Sequence, residues 1–260
     1  MKKVLILLLT MVMAVGLAAC GTSDKENKAG SSDKKVLVMG TSADYAPFEY
    51  VETEKSDEII GFDVDLGKAI ASKLGYKVEV KDMDFNGLVQ ALKSGQADFV
   101  MAGMTPTPKR KKNVDFSDIY YTAKHMIVSK KESNIKSLED LKGKTVGVQL
   151  GSIQEEKAKE IAKQVDIKIE DRNRIPDLIQ EMKSGRFDAA IIEDTVAKGY
   201  INKEKDLTDF TISDKPEDAG SAIAFPKNSE LTKKFNEELK KMKENGELDK
   251  LVVKWFGGEQ

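Results

Sequence analysis

"LVQALKSGQAD", Leu88 to Asp98, and "LIQEMKSGRFD", Leu178 to Asp188, are nearly one phrase written twice, with Leu, Gln, Lys, Ser, Gly and Asp at matching places. A lysine in the last turn followed by glycine suits a helix C-terminus. Glycine takes the left-handed conformation there freely, and a cation complements the helix dipole. That explains "KSG" but not the elements around it, whose order also repeats. Ahead of the first copy, "KVLVMGTS" (Lys35 to Ser42) reads as a buried strand, "GFDVDLGKAIASKLG" (Gly61 to Gly75) as a helix and "YKVEVKDM" as a strand. "FNGLVQALKSG" is then a helix and "ADFVMAG" a short apolar strand. The series restarts with "KTVGVQLGS" (Lys144 to Ser152), "IQEEKAKEIAKQV", "IKIEDR", "IPDLIQEMKSG" and "FDAAIIED". Each half spells β-α-β-α-β, which implies a parallel sheet wrapped by helices.

The chain is therefore expected to build two α/β lobes. "YYTAKHMIVSKK" (Tyr120 to Lys131) is extended and leads into the second lobe, and "AGSAIAFPKNS" (Ala219 to Ser229) leads out of it. Two such crossovers make a hinge. In "SELTKKFNEELKKMKENG", residues Leu231, Phe235, Leu239 and Met242 form one apolar face, and this helix with "ELDKLVVKWFGG" would complete the first lobe. The expected division is 35–121 with 219–260 as lobe 1, and 122–218 as hinge strands and lobe 2.

Parallel α/β sheets bind ligands beyond the carboxyl ends of their strands, so two facing lobes share one cleft. The loops at those ends are "TSADYAPFEY", "MAGMTPTPKR", "QLGSIQE" and "IIEDTV". Arg110 brings a cation to one jaw and Asp194 an anion to the other. A zwitterionic α-amino acid carries the complementary pair: Arg110 takes its carboxylate through two parallel hydrogen bonds, and Asp194 its ammonium. The plainer readings are that Arg110 is one more solvated residue of "KRKK" and that Asp194 is a helix N-cap. Thr107-Pro108 resembles an N-cap followed by Pro at N1, and "SIQE" (Ser152 to Glu155) a capping box, so helices would start at both rims. Tyr45 and Phe85 both follow strands. They either sandwich a flat or cationic side chain or are ordinary core and rim aromatics. Glu49 would meet a guanidinium or ammonium beyond them.

The chain begins with Met1-Lys2-Lys3 and the apolar run Val4 to Leu17, and "LAAC" ends at Cys20, the sole cysteine. A basic start, an apolar stretch shorter than a membrane span and small residues describe an export signal over 1–19. One cysteine excludes an intrachain disulfide, so packing alone must hold the fold. "GTSDKENKAGSSDKK" (Gly21 to Lys35) has nothing to bury and reads as a flexible tether, the segment 20–34 lying between the signal and the fold. The formal charge is −2 and the charges are interspersed, which argues against a nucleic-acid partner. There is no nucleophile elbow, phosphate loop or cluster with metal-ligand spacing. Glu193 and Glu49 are the only cleft carboxylates besides Asp194, and His125, the sole histidine, lies in an extended crossover. No cofactor, no metal and no catalytic role is expected. The readings set against a binder are an exported small-carboxylate dehydratase and an amino-acid sensor.

"GTSADYAPFEY", "GFDVDLGKAIASKLG", "DFNGLVQALKSGQADFVMAGMTPTPKR" and "GKTVGVQLGSIQEE" together resemble the polar amino-acid solute-binding proteins of ABC importers (family 3). The likeness runs from Lys35 to the C-terminus and is strongest to lipid-anchored arginine-binding members from Gram-positive bacteria. It implies a periplasmic-binding-protein type II fold that closes on a free cationic L-amino acid: arginine, or else lysine, histidine or ornithine. The partners implied are an ABC permease and its ATPase, and the protein would act as a monomer. "LAAC" resembles a lipobox, which implies a diacylglycerol on Cys20 and attachment to the outer face of the cell membrane. The resemblance places the aromatic sandwich on Tyr45 and Phe85 and the ammonium partner on Asp194. It places the carboxylate clamp on Arg110, helped by the Thr105 hydroxyl and the backbone near Gly103. Ser42 stands where basic-amino-acid binders often carry Asp, and Glu49 would compensate. Ile153 stands where some relatives carry Thr, which leaves Ser152 or Gln154 to serve.

Overall fold

The computed structural model describes residues 35–53, 56–212 and 220–257. The export signal, Cys20 and the tether lie outside them. The first half runs β1 (Val36–Thr41), β2 (Asp44–Tyr45), β3 (Glu49–Val51), β4 (Ile59–Ile60), α1 (Phe62–Lys73), β5 (Lys77–Asp82), α2 (Leu88–Ser94), β6 (Phe99–Val100), α3 (Pro108–Lys111) and β7 (Val114–Phe116). Next come β8 (Tyr121–Thr122) and β9 (His125–Lys130). The second half runs β10 (Thr145–Gln149), α4 (Ile153–Ile161), β11 (Lys168–Arg172), α5 (Ile175–Lys183), β12 (Ala189–Glu193), α6 (Asp194–Lys203) and β13 (Leu207–Thr211). The chain closes with β14 (Gly220–Ser221), β15 (Ala224–Pro226), α7 (Glu230–Glu244) and α8 (Glu247–Phe256).

Two five-stranded sheets result, ordered β5-β1-β6-β15-β7 and β11-β10-β12-β9-β13. In each, the first strand of a half lies between its second and third, all parallel. The two expected parallel sheets are present, and each gains antiparallel strands from the crossovers. β15 pairs antiparallel with β6 and β7, and β9 with β12 and β13. β8 and β14 pair as an antiparallel ribbon between the two sheets. A small antiparallel sheet, β2-β3-β4, stands at the carboxyl end of β1.

The repeated phrase repeats in geometry. Leu88 and Leu178 are both fully buried. The Ser94 and Ser184 hydroxyls donate to the carbonyls three residues back. Gly95 and Gly185 both have positive φ, 74° and 78°, which ends the helix and turns the chain toward the next strand. Asp98 and Asp188 explain why the phrase ends in an acid. The Asp98 carboxylate accepts from the Val38 N–H at 2.7 Å, while its own N–H donates to the Val38 carbonyl at 2.8 Å. Asp188 does the same to Thr145, at 2.8 and 2.9 Å. Each phrase thus clamps the first strand of its own lobe by two hydrogen bonds and sets the register of the sheet.

Strand alternation divides the core. Leu37 and Met39 of β1 face the layer holding Leu66, Ile70, Phe235 and Leu239, while Val38 faces Leu88 and Leu92 of α2. In the second sheet Ala189 and Ile191 pack with Ala158 and Ile161 of α4, and Ala190 and Ile192 with Leu178, Ile179 and Met182 of α5. Each fully buried Leu, Ile, Phe or Met contributes about 1.5–3 kcal/mol. On α7, Phe235, Leu239 and Met242 are buried and Leu231 partly so. Phe256 of α8 packs on Phe48, Phe62 and Tyr121 with ring centroids 5.1, 4.9 and 4.5 Å apart. Such aromatic pairs add about 0.5–1.5 kcal/mol each beyond area burial. They fix the segment carrying Tyr45 and Glu49 against the β8 strand of the ribbon.

Candidate functional site

The carboxyl ends of β1, β6, β10 and β12 converge on one cleft with about 330 Å³ of empty space, part of it open to solvent. Eight of the ten residues singled out from the sequence line it: Ser42, Tyr45, Glu49, Phe85, Gly103, Thr105, Arg110 and Gln154. The other lining residues are Ala102, Gln149, Ile153 and Glu193.

Arg110 reaches the cleft because Thr107 caps α3, its hydroxyl accepting from the Arg110 N–H at 3.2 Å, with Pro108 starting the helix. The guanidinium donates to the Thr105 carbonyl at 2.8 Å and, across the cleft, to the Gly151 carbonyl at 3.0 Å. It also lies over the Phe85 ring, 5.2 Å from its centroid. Arg110 keeps part of its surface open, yet lost hydration around the guanidinium lowers its pKa to about 10. It remains cationic at neutral pH.

Acids gather elsewhere in the same cleft. Glu49 is fully buried and neither carboxyl oxygen has a hydrogen-bond partner; burial, then the charges of Asp63 and Asp44, push its pKa well up. Asp63, behind it, accepts from the Gly103 N–H at 2.9 Å and the Tyr120 hydroxyl at 2.7 Å, and burial raises its pKa to about 6. Gly103 has φ +55°, and a Cβ there would sit 3.2 Å from the Tyr45 ring, so only glycine fits without displacement. With its N–H on Asp63, Gly103 has only its carbonyl to offer a ligand.

Glu193 ends β12 and is 5 % exposed. One oxygen accepts from the Tyr45 hydroxyl of the facing lobe at 3.0 Å; the other has no partner. Burial raises its pKa to about 8, the Tyr45 hydrogen bond opposes that rise, and the charge of Asp194 adds to it. Sequence reasoning considered Glu193 only as a catalytic carboxylate. Alternation along "AAIIED" sends neighbouring side chains to opposite faces, so one of the two acids had to face the cleft.

Two expected contacts lie elsewhere in this arrangement. Asp194 is the first residue of α6 rather than its cap, and its Oδ1 accepts from the Lys124 N–H at 3.1 Å, beside the cleft rather than lining it. Ser152 caps α4: its hydroxyl accepts from the Glu155 N–H and donates to the Gln149 carbonyl, which leaves it no proton to donate into the cleft. The reciprocal half of the capping box falls one residue early, because Glu155 accepts from the Gly151 N–H at 2.7 Å. Tyr45 and Phe85 both line the cleft, with Tyr45 stacked on Phe48 and one face of Phe85 under Arg110. The Ser42 hydroxyl donates to Asp44 at 2.9 Å. His125 is buried in β9, in register with Glu193. Among the described residues no group of acids, cysteine or histidine is placed to hold a metal ion, and no helix is long and apolar enough to cross a membrane.

Against known proteins, residues 37–258 match the family model for bacterial extracellular solute-binding proteins, family 3. The arginine-binding extracellular protein ArtP of Bacillus subtilis is 64% identical over 261 residues, covering all of both chains. An ancestral arginine-binding protein solved with arginine superposes with a TM-score of 0.78 at 47% identity, over 85% of this chain and 98% of that one. An ancestral arginine-binding protein solved with glutamine superposes at 0.79 with 46% identity, over 86% and 98%. These relatives are binding proteins, and the exported-enzyme reading is set aside. A two-lobed type II binding fold, a charged interlobe cleft and a family match over nearly all the described residues agree: this chain belongs to the bacterial extracellular solute-binding proteins, family 3.

Proposed function

We propose that this protein captures a cationic L-amino acid, arginine above others, between its lobes and delivers it to an ABC permease and its ATPase. The observation that carries the reading is the placing of a cation and two acids in one cleft: Arg110 lines it, and buried Glu49 and Glu193, which also line it, hold oxygens without partners. An unpaired buried acid is unfavourable, and a guanidinium or ammonium between them relieves it. The similarity to an arginine-binding relative along the whole chain supports the same ligand.

In the pose we propose, the ligand carboxylate displaces the Gly151 carbonyl from Arg110 and takes a further hydrogen bond from the Thr105 hydroxyl or Gln154. Tyr45 and Phe85 border the aliphatic stem. The α-ammonium goes to Asp194 once that side chain leaves Lys124, and the side-chain cation goes to Glu193 and Glu49. The ligand touches both jaws only when they are shut, so it shifts the population toward closure by its differential affinity. Residues 35–121 with 219–260 and residues 122–218 are the two moving bodies. Cys20 carries the lipid that keeps the protein on the outer face of the membrane.

The test is a thermal-shift and calorimetric screen of the mature protein, with Cys20 replaced by Ser, against the twenty amino acids and ornithine. Arginine at a hundredfold excess over its Kd should raise stability by about 2.7 kcal/mol. A screen in which neutral amino acids stabilise more than arginine, lysine, histidine and ornithine would overturn the assignment.

A further inference from the structure

Beside the cleft, and outside its lining, the loop between β11 and α5 reaches across to the first lobe. Arg174 donates through Nε to Asp84 at 2.9 Å and through Nη1 to Asp82 at 2.8 Å, with Asp44 at 3.6 Å. Asn173 donates to the other oxygen of Asp84 at 3.0 Å. The Ile175 N–H, at the first turn of α5, donates to Asp44 at 2.6 Å. Helix α5 has no capping side chain of its own. Its cap therefore comes from the other lobe and exists only while the lobes meet.

We infer that Arg174 is a positioning residue for capture: with Asn173 and Ile175 it latches the second lobe onto Asp44, Asp82 and Asp84 of the first and favours closure without touching the ligand. The latch is tied into the cleft from both sides. Asp44 accepts from the hydroxyl of Ser42, which lines the cleft. Asn173 accepts through its carbonyl from Gln149, which also lines it, at 3.1 Å. The acids are held ready, since the Ala43 N–H donates to the same Asp82 oxygen that Arg174 uses, at 2.8 Å. Arg174, Asp82 and Asp84 lie partly open to solvent, so these ion pairs are screened by salt, while the Asp44 side chain is largely buried.

A contact made only in the closed form raises the affinity for every ligand by the same factor, because it acts on the open–closed equilibrium that all ligands share. A cleft residue changes the ratio between ligands instead. The inference rests on the capture function proposed above. Its experiment compares wild type, Arg174→Ala and Asp84→Asn by calorimetry and stopped flow with L-arginine and L-glutamine as probes. Small-angle scattering of the ligand-free proteins accompanies it. Both variants should bind each probe about tenfold more weakly. The loss should lie in faster dissociation, and the ligand-free variants should be more expanded than wild type. Arg174→Lys should recover part of the loss, and added salt should weaken wild type more than Arg174→Ala. Asp84→Asn spares the Ile175 cap, so it reports even if Arg174→Ala fails to fold. Unchanged dissociation and scattering in a folded variant would overturn the latch, as would unequal losses for the two probes. If wild type binds no amino acid, the capture function fails, and the scattering comparison still decides whether Arg174 holds the lobes together.

Discussion

Glu193 is expected to couple the proposed ligand capture to a proton. Its pKa stands at about 8 against an ordinary 4.5, chiefly because burial strips water from the carboxylate. That difference amounts to roughly 5 kcal/mol between the neutral and ionised forms, at 1.36 kcal/mol per pKa unit. The sign follows from proton counts. Between pH 4.5 and about 8 the closed form keeps a proton that the unfolded chain has lost, so its stability falls as pH rises through that window. A guanidinium placed beside Glu193 takes over the proton's role. Arginine binding to the closed form should then release protons near pH 6.5 from Glu193 and from Glu49, whose pKa burial also raises, and its affinity should climb with pH through that window. Calorimetry at pH 6.5 in buffers of different ionisation enthalpy measures the release directly. Glu193→Gln, which keeps the shape and the hydrogen bond from Tyr45, should remove the Glu193 share of the release and make the pH dependence shallower. Observed enthalpies that do not vary with buffer in wild type would refute the argument, as would an undiminished proton release in Glu193→Gln.

Arg110→Ala should weaken arginine by about 2–5 kcal/mol, since it strips a charge-assisted pair from a largely desolvated cleft; an unchanged Kd by calorimetry would exclude the carboxylate role. Gly103→Ala combines positive φ with a Cβ against Tyr45, and should cost about 1–2 kcal/mol of stability along with ligand affinity, read by urea denaturation and calorimetry. Asp98→Ala and Asp188→Ala each strip the side-chain half of the clamp on a first strand. Each should lower stability by about 1–3 kcal/mol and by similar amounts, measured by denaturant melts; a loss at one position only would mean that the two phrases do not do equivalent work.

The elements were legible because local rules agree with one another. Apolar runs end in small residues, helices end at Gly95 and Gly185, and Pro108 and Ser152 start α3 and α4. The aromatic and cationic part of the site was legible too, since Tyr45, Phe85 and Arg110 follow strand ends, where a parallel sheet presents its ligand-binding loops. The acidic part was less so. Glu193 and Asp194 are adjacent acids of the same sign, and nothing local distinguishes them. Ser152 has a capping role that engages its hydroxyl, which the "SIQE" motif announced, while the likeness to relatives suggested a ligand contact.

The repeated phrase and the repeated order of elements around it pointed to two matched lobes with loops turned toward a common cleft, because helix ends and strand patterns are short-range chemistry; the clamping aspartates, whose partners lie 60 and 43 residues away, came only with the structure. Which acid faces that cleft, how Asp44 caps a helix of the opposite lobe, and how Arg174 meets three aspartates are matters of how the lobes meet. Those partners lie roughly 90–130 residues apart in the chain. Their burial, and with it the raised pKa of Glu193, exists only once both lobes have shut water out.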